Sequence, residues 1–168
     1  VWKAPANISL LSVTRPCQRL SNEQQQTLNV HPSGKSINAI RSFIGKGVMI
    51  WGARTLAGND NEWRYINVKR TVMMIEQSVH NGLNTLVFEP NDANLWSKTK
   101  MMIDNFLWQQ GGLIGAKPED AYFVKVGLHQ SMTSTDISEG RLIVQLGISM
   151  IRPAEFIVLK IEQKMLSA

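Results

Sequence analysis

One stretch constrains the fold more than any other. Tyr65, Val68, Val72, Ile75 and Val79 recur at intervals of 3, 4, 3 and 4 residues. An α-helix places such positions on one face, so the spacing predicts a helix from near Ile66 to Asn81. Gly82 follows where a helix-ending glycine belongs. Thr85-Leu-Val-Phe88 is then a short apolar run, of the kind found in a strand covered on both faces. Pro90 and Asn91 break it and open a second helix, predicted to run to about Gln110. Leu95, Thr99, Met102, Ile103, Phe106 and Leu107 form its apolar face, and Gly111-Gly112 stop it. Two helices of this length, separated by a strand, need a sheet to pack on, which points to an α/β or α+β fold.

The remaining segments supply that sheet. Ile8 to Leu20 is rich in β-branched and apolar residues and reads as one or two strands. Ser21 and Gln24 make a capping-box pattern that opens a short helix to about Leu28. A hairpin is expected from Ile37–Ile44 and Val48–Leu56 across the Gly45-Lys-Gly47 turn. Tyr122–Val126 reads as a strand and Asp136–Gly140 as a turn or one helical turn. Leu142, Val144, Leu146 and Ile148 alternate at strand period. A last strand is predicted from Glu155 to about Lys164, with Ile157, Leu159 and Ile161 on one face. Its other face carries Phe156 and Val158, then Lys160, Glu162 and Lys164. The expected architecture is a mixed β-sheet flanked by two long helices, with a C-terminal pair of strands.

Apolar residues make up 43% of the 168 and charged ones 18%, a globular composition with length for one core. No apolar run approaches the roughly 18 to 20 residues that cross a bilayer. The single cysteine, Cys17, forms no disulfide within the chain and reads as a small filler in a strand. Net charge is +5, but no basic cluster exceeds the Lys69-Arg70 doublet. Nucleic-acid binders concentrate their charge on one face or stripe, so that class is not indicated. An acidic protein partner, or simply a solvated basic surface, fits better.

A search for chemistry returns little. Gly34-Lys35-Ser36 lacks the second glycine of a phosphate loop, because Asn29 stands there. Gly111, Gly112 and Gly115 follow a helix and lack dinucleotide-binding spacing. His31, His80 and His129 have no His, Cys or carboxylate at ligand spacing, so neither a metal nor a cofactor is expected. Asp60 with Glu62, and Glu119 with Asp120, read as solvated loop carboxylates. Trp51, Trp63 and Trp96 read as packing aromatics. Lys69 and Arg70 stand in the first turn of the first long helix, where positive charge is mildly unfavourable, and this suggests an acidic neighbour. Lys98 and Lys100 project from the second helix away from its apolar stripe, with Asp104 four residues beyond Lys100.

Five segments, in order, carry a resemblance: Val1-Trp-Lys-Ala-Pro-Ala-Asn7, Val48-Met-Ile-Trp-Gly-Ala-Arg-Thr-Leu56 running on through Trp63–Arg70, Val87-Phe-Glu-Pro-Asn-Asp-Ala-Asn-Leu-Trp96, Leu107-Trp-Gln-Gln-Gly-Gly-Leu113 and Ile151-Arg-Pro-Ala-Glu-Phe156. Together they resemble the core of contractile tail sheath proteins of phages and bacterial contractile injection systems.

The resemblance implies a structural subunit, not an enzyme, with residues 1–168 forming one sheath core domain that is a fragment or ordered part of a longer chain. It implies helical self-assembly around an inner tube, with baseplate and terminator proteins as further partners, and no nucleic acid or membrane insertion. The subunit would be made in the bacterial cytoplasm and work in a virion tail or injection particle. Lys98 and Lys100 are then candidates to face an acidic tube. Lys69, Arg70, Phe156, Val158, Lys160 and Glu162 are candidates to touch neighbouring subunits, because sheath proteins exchange terminal arms by strand addition. Beside this stands a second reading: a small α/β enzyme or protein-binding module whose site is completed by sequence outside this chain.

Overall fold

The computed structural model describes residues 1–29, 31–115, 117–156 and 159. Two small antiparallel sheets and two long helices dominate it, giving the expected mixed α and β class. The single mixed sheet of the sequence reading is replaced by these two separate ones.

The first sheet has the order β1 (Ile8–Ser9), β3 (Gly47–Trp51), β2 (Ala39–Phe43). Gly45 and Gly47 at the hairpin turn have φ of 77° and 76°, a region glycine enters without strain. α1 (Asn22–Asn29) starts as expected: Ser21 Oγ accepts from the Gln24 N–H, and Gln24 Oε1 accepts from the Ser21 N–H. Gln25 of α1 donates to the Trp51 carbonyl, and Arg41 of β2 reaches Leu20, Asn22 and Gln25, so α1 is tied to this sheet. Ile8, Ile50 and Ile40 are cross-strand neighbours in one row, and Ile8 and Ile40 are about half exposed.

The region Ile8–Leu20 yields only the two-residue β1. Ser12 takes φ of 62° and Leu11 is exposed, so the chain leaves β3 after a single pair of rungs. Strand propensity wins only where a partner edge exists. Cys17 is exposed and outside any strand, not a filler within one.

α2 (Ile66–Leu83) and α3 (Ala93–Trp108) are the two long helices. Asp92 caps α3, its carboxylate accepting from the Leu95 N–H at 2.9 Å. Gly82 does not end α2 but lies within it. A Cβ there would meet the Met102 thioether at 3.3 to 3.4 Å, so the glycine permits close approach of α3. Thr85–Phe88 forms no strand: α2 runs on into a 3-10 turn at Asn84–Leu86, which buries Leu86 and leaves Phe88 fully exposed. A short apolar run fits either outcome, and here no strand pairs with it.

The second sheet pairs β4 (Tyr122–Val126) with β5 (Val144–Ile148), register Val124↔Leu146. α4 (Pro118–Ala121) leads into β4, and α5 (Ser134–Ser138) opens on a capping box in which Thr133 and Asp136 satisfy each other's backbone N–H. The core is Ile75 of α2, Ile103 and Leu107 of α3, Val124 and Val126 of β4, and Met132. The last predicted strand, Glu155 to Lys164, falls mostly outside the described residues, and Glu155 and Phe156 are not in a strand.

Candidate functional site

A groove of about 1010 Å³ runs between α2 and β5. One wall is Val68, Val72, Ile75 and Val79, the apolar stripe that forms the helix. The other is Val144, Leu146 and Ile148 of β5, continued by Ile114 and Ile151. Glu62, Glu76, His80 and Arg152 lie among its lining residues and supply charge and polarity. No strand pairs with the far edge of β5 among the described residues. Its five residues offer a free backbone edge of about 17 Å. An apolar wall beside unpaired strand N–H and C=O groups is the chemistry that accepts an added strand.

The outer face of α3 is a second surface. At about 100° per residue, Lys98 and Lys100 stand roughly 160° apart, at opposite borders of the exposed arc. Met101 and Trp108, each 65% exposed, lie on the arc between them. Neither lysine has an ion-pair partner among the described residues, Asp104 included. The two lysines therefore bracket a mixed face on which Met101 and Trp108 stand among Asn94, Ser97, Asp104 and Asn105, a feature the sequence reading did not foresee.

The first turn of α2 places Lys69 and Arg70 at the surface. Lys69 Nζ lies 4.7 Å from the centre of the Trp63 ring, a favourable cation–π distance. Phe156 is exposed. Val158, Lys160 and Glu162 lie outside the described residues, so their expected roles stay with the sequence reading.

Sequence reasoning missed a buried ion pair. Arg54, inside the Val48–Leu56 segment, is buried and meets Glu155 in a bidentate ion pair, with Nη2–Oε2 at 2.7 Å. A charge inside an apolar segment was the available signal, but its partner lies 101 residues away. Trp2 was also unassigned. It packs over Gly111 and Gly112, where any Cβ would collide with its indole or Cβ.

Titratable groups elsewhere serve local structure. Asp60 is held below the usual carboxylate range chiefly by the Glu62 and Trp63 backbone N–H groups. Asp136 is lowered by the Thr133 backbone N–H and hydroxyl, with Arg141 adding a smaller share. Burial, then Asp104, pushes the Tyr122 phenol up. Among the described residues, no three His, Cys, Asp or Glu side chains converge as metal ligands. Among the described residues, no helix is long and apolar enough to cross a membrane.

Comparison with known proteins places this architecture. The family model for the phage tail sheath C-terminal domain matches residues 58–164, more than half of the chain. A chain of the six-fold symmetrised baseplate of the anti-feeding prophage is 46% identical, with TM-score 0.87, over 98% of this chain and 45% of that one. A chain of the contracted sheath complex of PVC, an extracellular contractile injection system, is 41% identical, with TM-score 0.90, over 97% and 46%. A chain of the contracted helical sheath of the anti-feeding prophage is 45% identical, with TM-score 0.86, over 97% and 45%. The chain thus spans under half the length of these solved relatives. No curated protein matches it. The chain belongs to the family of phage tail sheath C-terminal domains.

Proposed function

We propose that this chain is the C-terminal core of a contractile sheath subunit, a structural and non-enzymatic part. Copies stack head to tail into a helical sheath around an inner tube, the open-ended outcome of heterologous contacts. The sheath is anchored on a baseplate and closed by a terminator protein. The particle, a phage tail or injection machine, is assembled from subunits made in the bacterial cytoplasm. Residues 1–168 act as one core domain, and no cofactor takes part.

The observation that carries this reading is the open apolar groove beside an edge of β5 that no strand pairs with among the described residues, in a chain so similar to chains of contracted sheaths. A terminal segment of a neighbouring copy supplies the added strand. The segment that begins at Phe156 and includes Val158, Lys160 and Glu162 has the alternating composition this requires. Strand pairing keeps the mesh connected while each core moves as a rigid body. Contraction draws on better burial between subunits, at about 2.5 kcal/mol for each roughly 100 Å² of apolar surface removed from water. Lys98 and Lys100 face an acidic tube, and Lys69 and Arg70 face a neighbouring subunit.

Deleting the residues after Phe156 from the full-length protein tests the reading. The expected result is folded subunits without tube-length sheaths in negative-stain images. Sheaths of normal length would refute the exchange of this segment.

A further inference from the structure

We propose that Arg54, Glu155 and Asn67 are positioning residues that tie together the segments by which the chain reaches and leaves the core. Tension on one segment then passes to the other through the first turn of α2 and not through the α3–β4 core. The proposal rests on the strand-exchange reading above.

The tie is built from both ends of the chain. The Arg54 side chain is 4% exposed and that of Glu155 18%. Arg54 Nε donates to both Glu155 oxygens at 3.0 and 3.1 Å, and its Nη1 donates to the carbonyls of Asn29 and Gly58 at 2.9 and 3.2 Å. Its own backbone is fixed by Asn38, which accepts from the Arg54 N–H and donates to the Arg54 carbonyl. Tyr65, at the start of α2, donates its hydroxyl to Glu155 Oε2 at 3.1 Å. Two residues further on, Asn67 donates from one amide nitrogen to the Trp2 carbonyl at 3.0 Å and the Ile151 carbonyl at 3.2 Å. The Ile151 N–H in turn donates to Gly112, the glycine under Trp2.

Stability alone is a poor reason for this arrangement. A buried ion pair is often matched or bettered by apolar residues of similar volume. Asn67 Oδ1 is buried with no partner among the described residues, a cost that a leucine would avoid. What charges and a bidentate fork add is direction, because they accept one geometry and reject others. Here that geometry fixes the position and direction of the backbone at Glu155.

The test replaces the pair by apolar residues, Arg54→Met with Glu155→Leu, in the full-length protein. The expected result is a melting temperature close to wild type and at least a tenfold loss of tube-length sheaths. The same pair in a chain ending at Phe156 should add nothing to the effect of truncation. Normal sheaths from the double variant would overturn the tie. Should that variant unfold, Glu155→Gln preserves size and shape. Hydrogen exchange at the Ile151 amide should then rise at least tenfold while the Leu107 amide of α3 is unchanged, and an unchanged Ile151 amide would overturn the tie. Sheaths built by the truncated chain alone would refute the strand-exchange reading instead, and the Ile151 exchange would still decide whether Arg54 and Glu155 hold the segment.

Discussion

β4 and β5 are paired residue for residue, yet one is core and the other is not. Val124 and Val126 of β4 are 6% and 5% exposed, against Ile103 and Leu107 of α3. Val144, Leu146 and Ile148 of β5 are equally apolar but only half-buried, because they look into the groove beside α2. The same residue types thus do two jobs. Those under α3 are satisfied within the chain, and those beside α2 are left for something the chain does not itself supply among the described residues. Under the proposed function, that difference would separate what folds a subunit from what joins subunits.

Substitutions on the two strands' surroundings should therefore differ in kind. The largest effect on folding is expected from Ile103→Ala, which removes fully buried methyl groups and costs about 2–5 kcal/mol. Thermal or denaturant unfolding of the subunit would record it. Leu146→Asp, across the sheet from Val124 and only half-buried, should cost the subunit less than Ile103→Ala while abolishing sheath assembly. A comparable loss of subunit stability from the two changes would erase the distinction.

A third surface sharpens the contrast without touching either strand. Lys98→Glu with Lys100→Glu should leave the melting temperature unchanged within error and weaken copurification with an acidic inner tube. Unchanged copurification would remove α3 as the tube-facing helix. The smallest effect concerns pH. Asp136 titrates below its ordinary value of 3.8 in the folded protein, chiefly through the Thr133 backbone and hydroxyl. Its contribution to stability is full above that value and is lost as pH falls through the lowered one. Asp136→Asn should flatten this acid limb of the stability profile and leave neutral pH almost unaffected.

The sequence made the helices legible because their stripes repeat within a few residues. Tyr65 to Val79 and Leu95 to Leu107 each announce a face, and Ser21 with Gln24 announces a start. Ends were harder. Gly82 looks like a stop signal but serves contact with Met102, a residue of the other helix. Thr133 and Asp136 hold the same capping pattern as Ser21 and Gln24, but no apolar run follows to draw attention to it. The openness of the groove was not legible at all, since Val72 and Val79 would read identically under a covering layer. Arg54 and Glu155 were each in view as members of family-like segments. Only the fold brings them together, because nothing local links residues 101 positions apart.

Intermolecular cysteine cross-linking tests the central claim most directly. A cysteine at Leu146 would be combined in turn with one at Val158, Leu159 or Lys160, in full-length protein whose exposed Cys17 is changed to serine. The expected result is oxidation to covalent ladders of subunits in assembled sheaths, and no ladders from dispersed subunits. Cross-links confined within single subunits, or none in assembled sheaths, would contradict a groove filled by a second copy.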